Sequence, residues 1–174
     1  MTGIYLLLVI LLWAALVAWL TVLLTKKLDL LFLRILVGAP SFAAALTLPF
    51  IDEIVGREQF QELCSQYSQI HIDISSAAGK SVYFASQPNI QIQGTWIRVM
   101  RRPFRFVELT SGKPVVTYDE LFAEGGWLAR HLGLSEGRVP LLFKGYCGPA
   151  NPPKSISSFK SLGINYVEPP ARRM

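Results

Sequence analysis

Two cysteines, Cys64 and Cys147, are the first candidates for chemistry in this 174-residue chain. A pair of thiols can close a disulfide, stay buried as two free thiols, or supply a nucleophile. Outside the cytoplasm two cysteines usually pair, and a bridge here would pin the proline-rich tail beyond Gly145 onto the segment that carries Cys64. The two histidines, His71 and His131, are too few for zinc, which takes three or four ligands, commonly at short paired spacing. Neither C-x-x-C nor H-x-x-x-H occurs. His71 reads as a strand surface residue, and His131, just before Gly133, as a cation near a helix C-terminus. Gly79-Lys80-Ser81 ends like a phosphate-binding loop. Ile74 stands where that motif needs its first glycine, and Val82-Tyr83-Phe84 favours a strand where it needs a helix. The acid pairs Asp52-Glu53 and Asp119-Glu120 are adjacent in sequence, a spacing that says nothing of a shared cleft, so no glycosidase-like pair is assigned. The sequence thus offers no recognisable catalytic set, no metal site and no cofactor site.

One basic and aromatic run stands out: Trp96, Arg98, Arg101, Arg102, Phe104, Arg105 and Phe106. Aromatics between arginines can stack on bases or meet phosphates. The blander arrangement is a solvated hairpin with its aromatics turned into the core. The chain carries a net charge of +5. Setting aside Lys26, Lys27, Arg34 and Asp29 leaves 14 basic and 11 acidic residues in 52–174, a net of +3. That is too mild for nucleic acid, which needs a dense basic surface. If the run is functional, an anionic lipid headgroup or an acidic protein partner suits it better.

What must position these residues begins at the membrane. Ile4–Leu24 holds no charge, proline or glycine. As a helix it is about 30 Å long, enough to cross the hydrocarbon of a bilayer, where only a helix satisfies its own backbone. It exceeds a signal-peptide core and no small-x-small cleavage site follows it directly, so it reads as a retained span. A second apolar run, Leu30–Ile51, is interrupted by Arg34, Pro40 and Pro49. Arg34 lies within snorkelling reach of the headgroups, and Pro40 predicts a kink. The alternative for this run is a helix in the interface or in a soluble core. Lys26, Lys27 and Arg34 cluster in the link between the two runs, and positive residues in short loops stay cytoplasmic. Both the N-terminus and residues 52–174 are then outside, which in a Gram-negative bacterium is the periplasm. Small residues at four-residue spacing, Ala14 with Ala18 and Ala39 with Ala43, would let helices approach closely.

Residues 52–174 predict one α+β domain, with a helix at its start packed on a mainly antiparallel sheet. The helix is expected over Arg57–Ser68, because Gly56 weakens its first turn, where Asp52 and Glu53 suit the partial positive charge. Alternation at Ile70, Ile72 and Ile74 reads as a strand. Further strands are expected at Lys80–Ala85 and Ile90–Arg101, and a hairpin at Phe104–Thr110 and Pro114–Tyr118 around Ser111-Gly112-Lys113. Then come a weak helix at Leu121–Leu132, a short strand at Val139–Phe143, and a loop-rich tail with one helical turn near Ser155–Leu162.

Asp52-Glu53-Ile54, Gly56, Phe60 and Leu63-Cys64, directly after an apolar helix, resemble the opening of small, uncharacterised membrane-anchored proteins of proteobacteria. Gly125-Gly126-Trp127-Leu128-Ala129-Arg130 is a second echo. The resemblance covers these two short stretches and implies a bacterial envelope protein, with no activity attached. The expectation is a non-enzymatic protein with a transmembrane hairpin at 1–51. Its domain at 52–174 would bind another envelope protein, as an accessory subunit of a membrane complex or as an immunity protein against an envelope-acting toxin. A thiol-dependent enzyme and a lipid-binding module are the other readings. The sequence sets no oligomeric state.

Overall fold

The computed structural model describes residues 2–27, 30–73, 79–132, 138–153 and 156–169. Helix α1 spans Thr2–Thr25 and helix α2 spans Leu31–Thr47. A 3-10 turn at Leu48–Phe50 joins α2 to helix α3, Ile51–Tyr67. The helical run from Leu31 to Tyr67 is thus unbroken over 37 residues. Pro40 is accommodated inside α2. Among the described residues two helices are long and apolar enough to cross a membrane, and their side chains face outward: Ile4 is 77% exposed and Leu31 70%.

α1 and α2 pack on each other along a seam displaced from the expected alanines. Ala18, Ala39 and Ala43 are exposed and Ala14 is half-buried. The close approach falls at Gly38, the buried residue of α2, opposite Val17, Thr21 and Thr25 of α1. A methyl placed on Gly38 would meet the Thr25 and Thr21 methyls at 3.5 and 3.6 Å. The hydroxyls of Thr21 and Thr25 donate back to the carbonyls of Val17 and Thr21, both at 2.8 Å. They therefore carry no unmet polar group into an apolar seam. The Arg34 guanidinium turns back toward the link, 3.4 Å from the Lys26 carbonyl.

Among its described residues the domain holds a seven-stranded sheet built around two ten-residue strands, β4 (Val99–Glu108) and β5 (Pro114–Ala123). Glycine at Gly112, with φ of 68°, turns the hairpin between them. The Glu108 carboxylate ties the turn: it accepts from Ser111, Lys80 and Thr110, and these donors hold its pKa below the ordinary value. Two short strands flank β5, β1 (His71–Ile72) and β6 (Tyr146–Cys147). Two flank β4, β2 (Ser81–Phe84) and β3 (Ile90–Ile92). β7 (Asn165–Tyr166) adds to β2 in the one parallel pairing among the described strands.

The mixed, antiparallel-dominated architecture follows the expectation, and several bounds move. The strand expected over 90–101 breaks at Gly94, whose φ of 81° ends the extended run. β5 continues through Ala123 where a helix was expected from Leu121, leaving helix α4 only Trp127–His131. Both faces of β5 are covered there, so its sequence lacks strand alternation. Val139–Phe143 forms no strand, and the expected residues 74–78 of the first strand and phosphate-loop look-alike lie outside the described residues. Helix α5, Ile156–Ser161, matches the helical turn expected in the tail.

Alternating side chains divide the core. One face of the sheet buries Val99, Leu121 and Ala123 with Ile97 against Phe60 of α3. The other buries Val82, Phe106, Val116 and Tyr118 against Phe159 of α5. Gly56 belongs to the first contact rather than weakening it. A Cβ there would lie 2.7 Å from the Ile97 side chain, so glycine lets α3 sit down on the sheet edge.

Candidate functional site

Three arrangements join residues far apart in sequence. The first lies where the second apolar helix passes into the domain. Glu53 is 1% exposed, and its carboxylate accepts from three backbone amides far along the chain, with the Asp52 carboxylate beside it. Gly126 N donates to Oε1 at 2.9 Å, and Leu141 N and Leu142 N donate to Oε2 at 2.9 and 3.0 Å. The neighbour is Asp52, whose carboxylate accepts from Trp127 N and from Glu53 N. These acids were expected to serve their own helix end. They do stand in the first turn of α3, where Asp52 accepts from the Glu53 amide, and they also satisfy the start of α4 and the 141–142 segment. The two glycines make this contact possible. A Cβ on Gly126 would fall 2.4 Å from an Asp52 oxygen, and one on Gly125 would fall 2.4 Å from Ala129 Cβ. Asp52-Glu53 and Gly125-Gly126-Trp127, far apart in sequence, thus meet in one contact that Leu141 and Leu142 complete.

The second arrangement is the disulfide between Cys64 of α3 and Cys147 of β6, with Cα atoms 6.1 Å apart. Cys147 is opposite Leu121 in register, on the α3 side of the sheet, which is why it meets Cys64. The bridge consumes both thiols.

The third concerns the arginines, which the structure does not gather into one surface. Arg98 pairs with Glu124 at 3.4 Å. Arg105 pairs with Asp119 at 2.9 Å and also donates to the carbonyls of Phe104 and Tyr118. Arg101 reaches the same Asp119 at 4.0 Å and lies over the Tyr67 ring. Trp96 is exposed beside α3, its amide donating to Gln59 Oε1 at 2.9 Å. Strand alternation puts Arg102 on the opposite face from Arg101 and Arg105. There its guanidinium lies 5.3 Å from the centre of the Phe122 ring. Phe122 is 5.2 Å from Tyr146, and Lys144 Nζ is 6.0 Å from the Tyr146 ring. Arg102, Phe122, Tyr146 and Lys144 thus form a ladder of two rings with a cation at each end. Arg102, Lys144 and Tyr146 are exposed. A depression of about 370 Å³ opens beside it, walled by Phe122, Phe143, Pro140 and Tyr146. Only Arg102 of this ladder stood out in the sequence. The local sign for the rest was an aromatic next to a lysine in Lys144-Gly145-Tyr146, and it has no meaning until β6 pairs with β5.

A separate cavity of about 290 Å³ lies under α5, among Phe84, Phe104, Phe106, Tyr118 and Phe159. Burial pushes the Tyr118 phenol well above the ordinary tyrosine value. His71 is exposed on β1, and His131 closes α4 with Nδ1 3.0 Å from the Trp127 carbonyl oxygen. Among the described residues no group of three or more His, Cys, Asp or Glu is placed to hold a metal. Compared with known proteins, the chain matches no protein-family model, no curated protein and no solved structure.

Proposed function

We propose that this is a non-enzymatic, membrane-anchored protein of the bacterial inner membrane. Its disulfide-closed domain lies in the periplasm and binds an acidic surface of another envelope protein, as an accessory subunit of a membrane assembly. The ladder of Arg102, Phe122, Tyr146 and Lys144 is the observation that carries this reading. Exposed arginine and tyrosine beside a depression is the composition of a protein-binding hot spot. The thiol-enzyme reading loses its nucleophile to the bridge. The lipid-binding reading of the arginine run loses three of its four cations to Glu124 and Asp119. An immunity protein belongs to the same class, and the identity of the partner separates the two.

The test is capture of the full-length chain from native membranes in mild detergent, alongside a form carrying Arg102→Glu and Tyr146→Ala. Hot-spot side chains contribute about 2 kcal/mol or more each. A partner should come down with the unaltered chain and be lost from the double variant while its disulfide stays intact. Equal recovery with both forms, or no partner in any of several detergents, overturns the proposal.

A further inference from the structure

The contact made by Asp52 and Glu53 fixes the height of two loops above the bilayer. The twenty residues from Leu31 to Phe50 rise about 30 Å as a helix, the thickness of the hydrocarbon. Asp52 and Glu53 come two and three residues later, about 3–5 Å above that boundary. The headgroup layer on each side is roughly 5–8 Å deep. The amides bonded to these two acids therefore sit inside it: Gly126 and Trp127 at the start of α4, and Leu141 and Leu142. α4 also packs directly on the 3-10 turn that ends the second apolar run.

The large apolar side chains at this level are turned outward. Ile51, Ile54, Trp127, Val139 and Leu142 are each 46–55% exposed. On a face directed at water such a group would be a liability. At the boundary between headgroups and acyl chains, tryptophan and aliphatic residues are the favoured types. Exposed Arg138 stands in the same segment, its carbonyl accepting from Gly125 N at 2.7 Å, and adds a cation suited to lipid phosphate.

We propose that Trp127, Val139 and Leu142 form a lipid-facing collar, seated in the headgroup boundary of the leaflet from which the domain emerges. The collar holds the domain against the bilayer instead of leaving it to swing on α3. This rests on the reading that α1 and α2 span the membrane, and it assigns the lipid contact to residues outside the arginine run. Trp96 supplies an internal contrast. It is as exposed as Trp127, at 56% against 55%, but it is tied to Gln59, seven residues beyond Asp52 and about 10 Å higher along the helix.

Three single-tryptophan forms of the full-length chain test it, keeping Trp19, Trp96 or Trp127 with the other tryptophans changed to phenylalanine. Each is reconstituted into phosphatidylcholine vesicles brominated at shallow or deep acyl positions, and each is checked for the intact Cys64–Cys147 bridge. Trp127 should lose emission to shallow bromines more than to deep ones and resist aqueous iodide. Trp96 should be quenched by iodide and untouched by bromines. Trp19, inside α1, reports the anchor: quenching of Trp19 by bromolipid with Trp127 open to iodide overturns the collar and leaves the spans standing. Loss of bromine quenching at both overturns collar and spans together. If a triple substitution fails to form the bridge, the unaltered chain minus Trp127→Phe gives the same reading by difference. No shallow-bromine component in that difference overturns the collar.

Discussion

Replacing Glu53 by alanine removes the acceptor of three backbone amides at once. Gly126, Leu141 and Leu142 would keep their donors in a site that is 99% shielded around that side chain and gain nothing in exchange. A buried donor stripped of its partner costs about 1–3 kcal/mol. Glu53→Ala should therefore lower the stability of the domain by about 3–5 kcal/mol, a large part of the 5–15 kcal/mol typical of a folded domain. Glu53→Gln keeps the shape but must present an amide group to one of the donors, so its cost should fall near half of that. Urea unfolding of the full-length chain in detergent measures both. Equal stability of the alanine form and the unaltered chain would show that these bonds contribute nothing net. The same residue shows where sequence reading stops. Glu53 and Asp52 were visible as acids at a helix start, but their partners lie 73 to 89 residues away. Only the tandem glycines at 125 and 126 hinted that some backbone must come close.

Among the elements, the bond from α3 to β6 is the longest covalent tie in the domain, with a sequence separation of 83. A crosslink closing a loop of that length stabilises by about 4–5 kcal/mol on the chain-entropy account. Cys64→Ser, Cys147→Ser and the double variant remove the same bridge. All three should therefore melt lower than the unaltered chain by one common amount, equivalent to about 2–5 kcal/mol. Additive losses in the double variant would mean that each sulfur packs independently of the bond. Elements with a strong local signal were legible: the two apolar helices by length and the β4–β5 hairpin by Ser111-Gly112-Lys113. The second half of β5 was not. Leu121, Phe122 and Ala123 have neighbours on both faces, so the period of two that marks a half-buried strand is erased. β1 falls within the alternation read at Ile70 and Ile72, but the two-residue strands β6 and β7 carry no period and exist because a partner strand offers its edge. The ladder beside β6 was hidden for the same reason.

For the whole molecule, the charge of the link and the chemistry of the bridge must agree on one side of the membrane. Lys26, Lys27 and Arg34 lie at the link end of the helix pair, and Arg34 turns toward Lys26. By the rule for short loops the proposed topology keeps that end in the cytoplasm. In the proposed topology two spans would carry residues 52–174 to the opposite side, an oxidising compartment in which the bridge between Cys64 and Cys147 would persist. The reverse orientation would place that bridge among cytoplasmic reductants and forfeit the stability it supplies. Alkaline phosphatase needs an oxidising compartment to become active, and β-galactosidase needs the cytoplasm. Fused in turn after Met174, the first should be active and the second silent. Changing Lys26, Lys27 and Arg34 together to glutamine removes the retention signal, so phosphatase activity should fall as a share of molecules insert the other way round. A β-galactosidase fusion active on the unaltered chain would reverse the topology. The disulfide would then need a different account, because no cytoplasmic glutathione pool would leave an accessible thiol pair oxidised by default.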